Sequence, residues 1–161
     1  MSKIRKLVSS AAVLSVGMIA TSAMADACDT PSALSGDLGQ FSGDVVTIMG
    51  SMQGKDEENL LAMASCFEKA TGAVIKYSGS RDFAALIVAD LRSNNAPNIA
   101  IFPQPGLAGD MAKEGHLIPL GDEAAAWMAE NYGAGQSWVD LGTYADANGK
   151  KHFYGFAFKQ D

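Results

Sequence analysis

The chain has 161 residues, a formal net charge of −6, 48% hydrophobic and 19% charged residues, and 17 glycines. That length allows one domain or a piece of a larger protein and excludes a long repeat array, and the apolar content excludes a disordered tail. Acidic residues outnumber basic ones 18 to 12, and Lys3, Arg5 and Lys6 lie in a leader read below as removed, so nine basic residues would face 18 acidic ones. Such a surface repels phosphate backbones and anionic lipid, which excludes nucleic acid and membrane surfaces as first partners and favours a neutral or cationic ligand.

The first six residues carry three positive charges and no negative one, residues 7–20 are apolar but for Ser and Gly, and Ala23-Met24-Ala25 follows. A basic start, a short apolar middle and small residues at −3 and −1 are what a secretory signal peptidase accepts, so residues 1–25 read as a signal peptide cleaved after Ala25. The apolar stretch is shorter than the roughly 20 residues needed to cross a bilayer. Export brings Cys28 and Cys66 into an oxidising compartment, where they are expected to pair; two unrelated thiols are the alternative. Pairing would close a loop of 37 intervening residues, worth about 4 kcal/mol in the chain-entropy model.

Residues 26–44 are rich in Ser, Gly, Asp and Pro and read as an irregular leader. Val45-Val46-Thr47-Ile48-Met49 is a β-branched run expected to form a strand buried on both faces, and residues 50–54 are its turn. Asp56, Glu57 and Glu58 then open a helix with an apolar stripe of Leu60, Met63, Ala64 and Phe67, stopped at Gly72. Val74 to Tyr77 is a second strand, residues 79–82 a second turn, and Phe83 to Arg92 a helix expected to bury Leu86, Ile87 and Leu91. Ile99 to Phe102 is a third strand, followed by Pro103-Gln104-Pro105-Gly106 and a short helix ending at Gly115. This alternation implies a doubly wound α/β lobe with a largely parallel sheet, in which ligands sit beyond the carboxyl ends of the strands. The turns at 50–54, 79–82 and 103–106 should therefore form one surface.

Beyond Gly115 come a brief apolar segment at 117–120, a helix at 123–131, an ambiguous stretch at 138–144 and a strong turn at 146–150. Residues 152–158 alternate aromatic and small side chains as a strand does, and the chain stops soon after, as a fragment would.

Catalytic motifs fail. Gly50 to Lys55 has the wrong spacing for a phosphate loop and is followed by three carboxylates, no G-x-G-x-x-G follows a strand, and no G-x-S-x-G surrounds a serine. His116 and His152 lack partners at zinc-ligand spacing. No catalytic residue, metal or cofactor is expected. The three turns instead carry Ser51, Met52 and Gln53, then Ser80, Arg81 and Asp82, then Gln104. Hydroxyl, amide, guanidinium and carboxylate groups suit a polyhydroxylated neutral molecule, whose hydroxyls both donate and accept. Alternatively Ser80 or Asp82 caps the helix starting near Phe83, and Arg81 is a solvated charge.

Gly79-Ser80-Arg81-Asp82-Phe83, the run Ala96-Pro97-Asn98-Ile99-Ala100-Ile101-Phe102-Pro103-Gln104-Pro105-Gly106, and Lys113-Glu114-Gly115-His116-Leu117-Ile118-Pro119-Leu120 resemble the sugar-binding proteins of bacterial ABC importers, most closely the α-glucoside-binding group. The resemblance implies an α/β first lobe of the type II periplasmic binding protein kind over residues 45–161, mainly parallel sheet with flanking helices, the second lobe missing. Residues 154–159 look like the crossover strand into that lobe, with Ala157 where proline is more usual. It further implies a periplasmic monomer that binds an α-glucoside or other oligosaccharide through Met52, Gln53, Ser80, Asp82 and Gln104, less strongly Ser51 and Arg81, and delivers it to membrane permease subunits. An exported protein binding a non-sugar ligand such as a polyamine, and an exported α/β enzyme, are the alternatives.

Overall fold

A computed structural model of the chain describes Cys28 and residues 38–157. The signal segment with its cleavage position, most of the leader, and residues 158–161, which include the end of the last expected strand, lie outside the described residues. The elements are β1 (Val45–Gly50), α1 (Lys55–Thr71), β2 (Val74–Gly79), α2 (Phe83–Arg92), β3 (Ile99–Ile101), α3 (Pro105–Lys113), α4 (Asp122–Asn131), α5 (Gln136–Leu141), β4 (Thr143–Ala145) and β5 (Lys151–Phe153).

The first three strands form a parallel sheet in the order β2-β1-β3. Val45 through Gly50 pair in register with Val74 through Gly79, and Ile48 through Gly50 pair with Ile99 through Ile101. From β1 the chain steps one way to β2 and then back past β1 to β3, so right-handed crossovers place α1 and α2 on opposite faces. On the α2 face, Met49 packs with Phe83, Ile87 and Leu91 of α2 and Met111 of α3, flanked by Ala100, Phe102 and Leu117. Phe83 meets the Phe102 ring edge-on at 5.5 Å between centroids. Phe83, Ile87 and Met111 are fully buried, and each such side chain stabilises by about 1.5–3 kcal/mol.

Helix α1 ends as its sequence requires. Gly72 takes the left-handed conformation at φ 76° and its N–H donates to the Glu68 carbonyl at 2.8 Å, a geometry that favours glycine. Residues 38–44 lie across this end: Phe41 N–H donates to the Thr71 carbonyl at 2.7 Å and the Gln40 side chain to the Ala70 carbonyl at 3.1 Å. Cys28 is joined to Cys66 of α1, with Cα atoms 5.2 Å apart.

Three burial expectations require correction. The α1 stripe is only partly covered: Leu60 and Ala64 are half-buried, Met63 is 62% and Phe67 38% exposed, and the buried residue of the helix is Thr71. The helix packs along β2, a sheet-edge strand, and among the described residues Phe67 has Phe41 as its stacked aromatic neighbour, at 6.5 Å. Nor is β1 buried on both faces: Val45 and Thr47 are exposed, and burial is reached only at Met49 and Gly50, where α2 and α3 cover the sheet. On α2, Leu86 is exposed and Phe83 buried; edge contact with Phe102 sets the phase at Phe83, Ile87 and Leu91, four residues apart.

The remaining elements form a second packed group in which Met128, Val139 and Phe153 are buried. The ambiguous stretch resolves into the end of α5 and the strand β4. The turn at 146–150 closes an antiparallel β4–β5 hairpin, with the Asp146 carboxylate accepting the N–H groups of Asn148 and Lys150 at 2.8 and 2.9 Å. The last strand is shorter than its alternation suggests. Pairing ends at Phe153, the Tyr154 N–H turns to the Gly142 carbonyl at 2.8 Å, and residues 154–157 leave the ladder.

Candidate functional site

Because Gly50 pairs with both Gly79 and Ile101, the carboxyl ends of all three strands stand side by side, neighbours about 4.8 Å apart. The connection that leaves β1 runs to β2 on one side, while β3 lies on its other side. The crevice between the ends of β1 and β3 is thus a topological switch point, where open α/β sheets bind ligands. The turns at 50–54 and 103–106 open on either side of it, and 79–82 adjoins the first.

The first two turns are laced together. Ser80 N–H donates to the Gly50 carbonyl at 2.9 Å, the Tyr77 hydroxyl to the Met52 carbonyl at 3.0 Å, and the Gln53 side-chain amide to the Gly79 carbonyl at 3.4 Å. Arg81 Nε donates to Gln53 Oε1 at 3.2 Å. The approach is so close that a Cβ on Gly79 would collide with the Met52 carbonyl oxygen. Burial pushes the Tyr77 phenol above the usual tyrosine range, Glu57 adding to the rise and its bond to Met52 opposing it, so Tyr77 keeps its proton and stays a donor.

The alternatives for the second turn are answered by these bonds. Asp82 occupies the N-cap position of α2, but its carboxylate makes no capping bond, and it has no hydrogen bond or ion pair among the described residues. Ser80 Oγ accepts the Asp82 N–H at 3.1 Å, bracing the turn rather than the helix. Arg81 is exposed but bonded to Gln53. On the third turn, Gln104 is the N-cap of α3 in extended backbone, followed by Pro105, and its side chain makes no capping bond either. The structure therefore bonds Gln53 directly to Arg81, ties Met52 to Tyr77 and Ser80 to Gly50, and attaches Asp82 through Ser80. Gln104 stands at the end of the same sheet, unbonded to the others among the described residues, and Ser51 is half-buried between β1 and Met52.

Tyr77 is the residue that sequence reasoning missed. Its signal was a hydroxyl-bearing aromatic two residues before the glycine that ends its strand. A groove of about 310 Å³ is lined by Thr47, Lys76, Tyr77, Asp90, Asn95 and Pro97 among others; Tyr77 borders it, but no residue of the three turns does. Among the described residues no cluster of His, Cys, Asp and Glu is arranged to hold a metal, and each histidine stands by a carboxylate: His116 by Glu114 and His152 by Asp146, both at 3.4 Å.

Comparison with known proteins finds two relatives. The chain is 44% identical over 119 residues to the alpha-glucosides-binding periplasmic protein AglE of Rhizobium meliloti, covering 74% of this chain and 26% of that protein. This chain is similar, over about three quarters of its length, to a periplasmic solute-binding protein. It is also 41% identical over 97 residues, 60% of the chain and 23% of the relative, to the osmoprotective compounds-binding protein GgtB of Synechocystis sp.. The chain thus spans about a quarter of the length of the curated relatives it matches. No family model matches it. Both relatives are named for binding rather than for catalysis, and among the described residues no helix is long and apolar enough to cross a membrane.

Proposed function

We propose that the chain supplies one wall of a carbohydrate cleft in an exported, periplasmic binding protein that delivers an α-glucoside or related oligosaccharide to the permease of an ABC importer. The observation that carries this reading is the laced pair of turns beside the switch point, with the Asp82 carboxylate left unspent. On this reading Asp82 accepts two sugar hydroxyls, Gln53 and Gln104 supply amide donors and acceptors, Ser80 donates its hydroxyl, Met52 offers an apolar surface to the ring, and Ser51 and Arg81 flank them. The opposite wall would come from a second lobe. A sugar held by both lobes favours the closed arrangement by its additional contacts, and the importer would read that closure. No bond is made or broken.

A second reading is favoured by the kinship with GgtB: a small osmoprotective compound in the same cleft. Calorimetric titration of the full-length protein with maltose, trehalose, sucrose and a polyamine separates a glucoside ligand from a cationic one. The glucosides are expected to bind and the polyamine not, while the 161-residue chain alone binds far more weakly because half its contacts are missing. Polyamine binding with no glucoside binding would refute the proposal.

A further inference from the structure

We propose that Arg81 is a positioning residue: its Nε–H fixes the side-chain amide of Gln53 so that Gln53 meets the ligand as a hydrogen-bond donor. The inference rests on the cleft reading above. A glutamine amide has two N–H donors on nitrogen and two acceptor positions on oxygen, and nothing in its shape decides which end faces which neighbour. Here two neighbours of fixed sense decide it. Arg81 only donates and stands 3.2 Å from Oε1, whereas the Gly79 carbonyl only accepts and stands 3.4 Å from Nε2. Rotating the amide by half a turn would set donor against donor and acceptor against acceptor. One N–H of Gln53 is thereby spent on Gly79 and the other is left for a ligand oxygen.

The backbone supports the same arrangement. Gly79 lies against the Met52 carbonyl, and Tyr77 holds that carbonyl from the strand, so the root of Gln53 is fixed while its tip is steered by Arg81. Gln53 and Arg81 are both exposed, so a single hydrogen bond of this kind contributes little to the stability of the fold. It orients a group rather than holding the fold together. Its second effect concerns charge: the guanidinium beside the cleft disfavours a cationic ligand, while a neutral polyol pairs with the Gln53 donor and the Asp82 acceptor alike.

The test is a double-mutant cycle in the full-length protein, read by calorimetry with whichever glucoside binds wild type, together with the side-chain amide signals of Gln53 in nitrogen-15 spectra without sugar. Arg81→Ala is expected to weaken binding about three- to tenfold and to shift or exchange-broaden the Gln53 amide pair. Gln53→Ala is expected to weaken binding by at least as much, and the double variant to bind as Gln53→Ala does, because Arg81 acts through Gln53. Gln53→Glu, which can accept from Arg81 but cannot donate, is expected to lose binding like Gln53→Ala. Additive losses in the double variant, or an unchanged Gln53 amide signal in Arg81→Ala, would overturn the positioning role and leave the cleft standing. Unchanged affinity in both Gln53→Ala and Asp82→Ala would instead remove the cleft, and this inference with it.

Discussion

Replacing Gly79 with alanine tests the lacing of the two turns by adding one methyl group. Gly79 does not adopt a positive φ, so alanine meets no backbone penalty there and the effect comes from contact alone. The new Cβ would press into the Met52 carbonyl and lie 3.0 Å from the Tyr77 ring. The first turn must then move, and overpacking of this kind costs about 1–3 kcal/mol. Movement of Met52 also breaks the bond from the Tyr77 hydroxyl, worth about 1 kcal/mol. The total is a loss of about 2–4 kcal/mol, measured as the shift in the urea midpoint at unchanged slope. Sugar affinity of the full-length variant should fall with it, since Met52 and Gln53 shift away from Ser80. A midpoint within about 0.5 kcal/mol of wild type, the range of ordinary surface substitutions, would show that the turns are not held against one another.

Other expectations follow from single groups. Asp82→Ala should weaken glucoside binding at least tenfold by calorimetry, about 1.4 kcal/mol, yet leave the melting temperature nearly unchanged because the carboxylate caps nothing. Cys66→Ser, by opening the Cys28–Cys66 loop, should cost up to about 4 kcal/mol in denaturant unfolding on the chain-entropy model, and wild type under reductant should show the same loss. Glu114 is held below the ordinary carboxylate range first by its hydrogen bonds from Arg92, with lesser help from His116 against an opposing desolvation effect. A depressed carboxyl adds stability that is present above its unfolded value near 4.5 and is lost as pH falls through the lower folded value. Glu114→Gln should therefore flatten the acid limb of the stability profile while changing little at neutral pH beyond the loss of an exposed, salt-screened pair; an unaltered acid limb would refute the linkage.

Much of the α/β fold was legible because its punctuation is local. Gly72 and Gly115 mark helix ends, Asn94, Asn95 and Pro97 close α2, and β-branched runs mark the strands. Parallel topology then followed from the alternation, and with it the meeting of the first two turns beside the end of β3. What was not legible depends on neighbours in space. The periodicity of α1 marks an apolar stripe at Met63 and Phe67, but no spacing reveals that the helix lies on an edge strand with those two side chains exposed. On α2, both Phe83 and Leu86 fit a helical face, and only the Phe102 ring decides between them. Likewise alternation at 152–158 cannot show that pairing stops at Phe153, since Gly142 captures the next N–H from a distant position in the chain. In the turns, the residue types were readable, whereas the bonds from Tyr77 to Met52 and from Arg81 to Gln53 span 25 and 28 positions and have no pattern in the sequence.

Chemical-shift mapping of the nitrogen-15-labelled chain, titrated with millimolar maltose or trehalose, tests most directly whether the three turns form a single sugar-facing wall. The expected result is that amides at Met52 and Gln53, at Ser80 to Asp82, and at Gln104 move together along one saturation curve. Shifts confined to the groove around Thr47, Asp90 and Asn95, or to one turn alone, would contradict it.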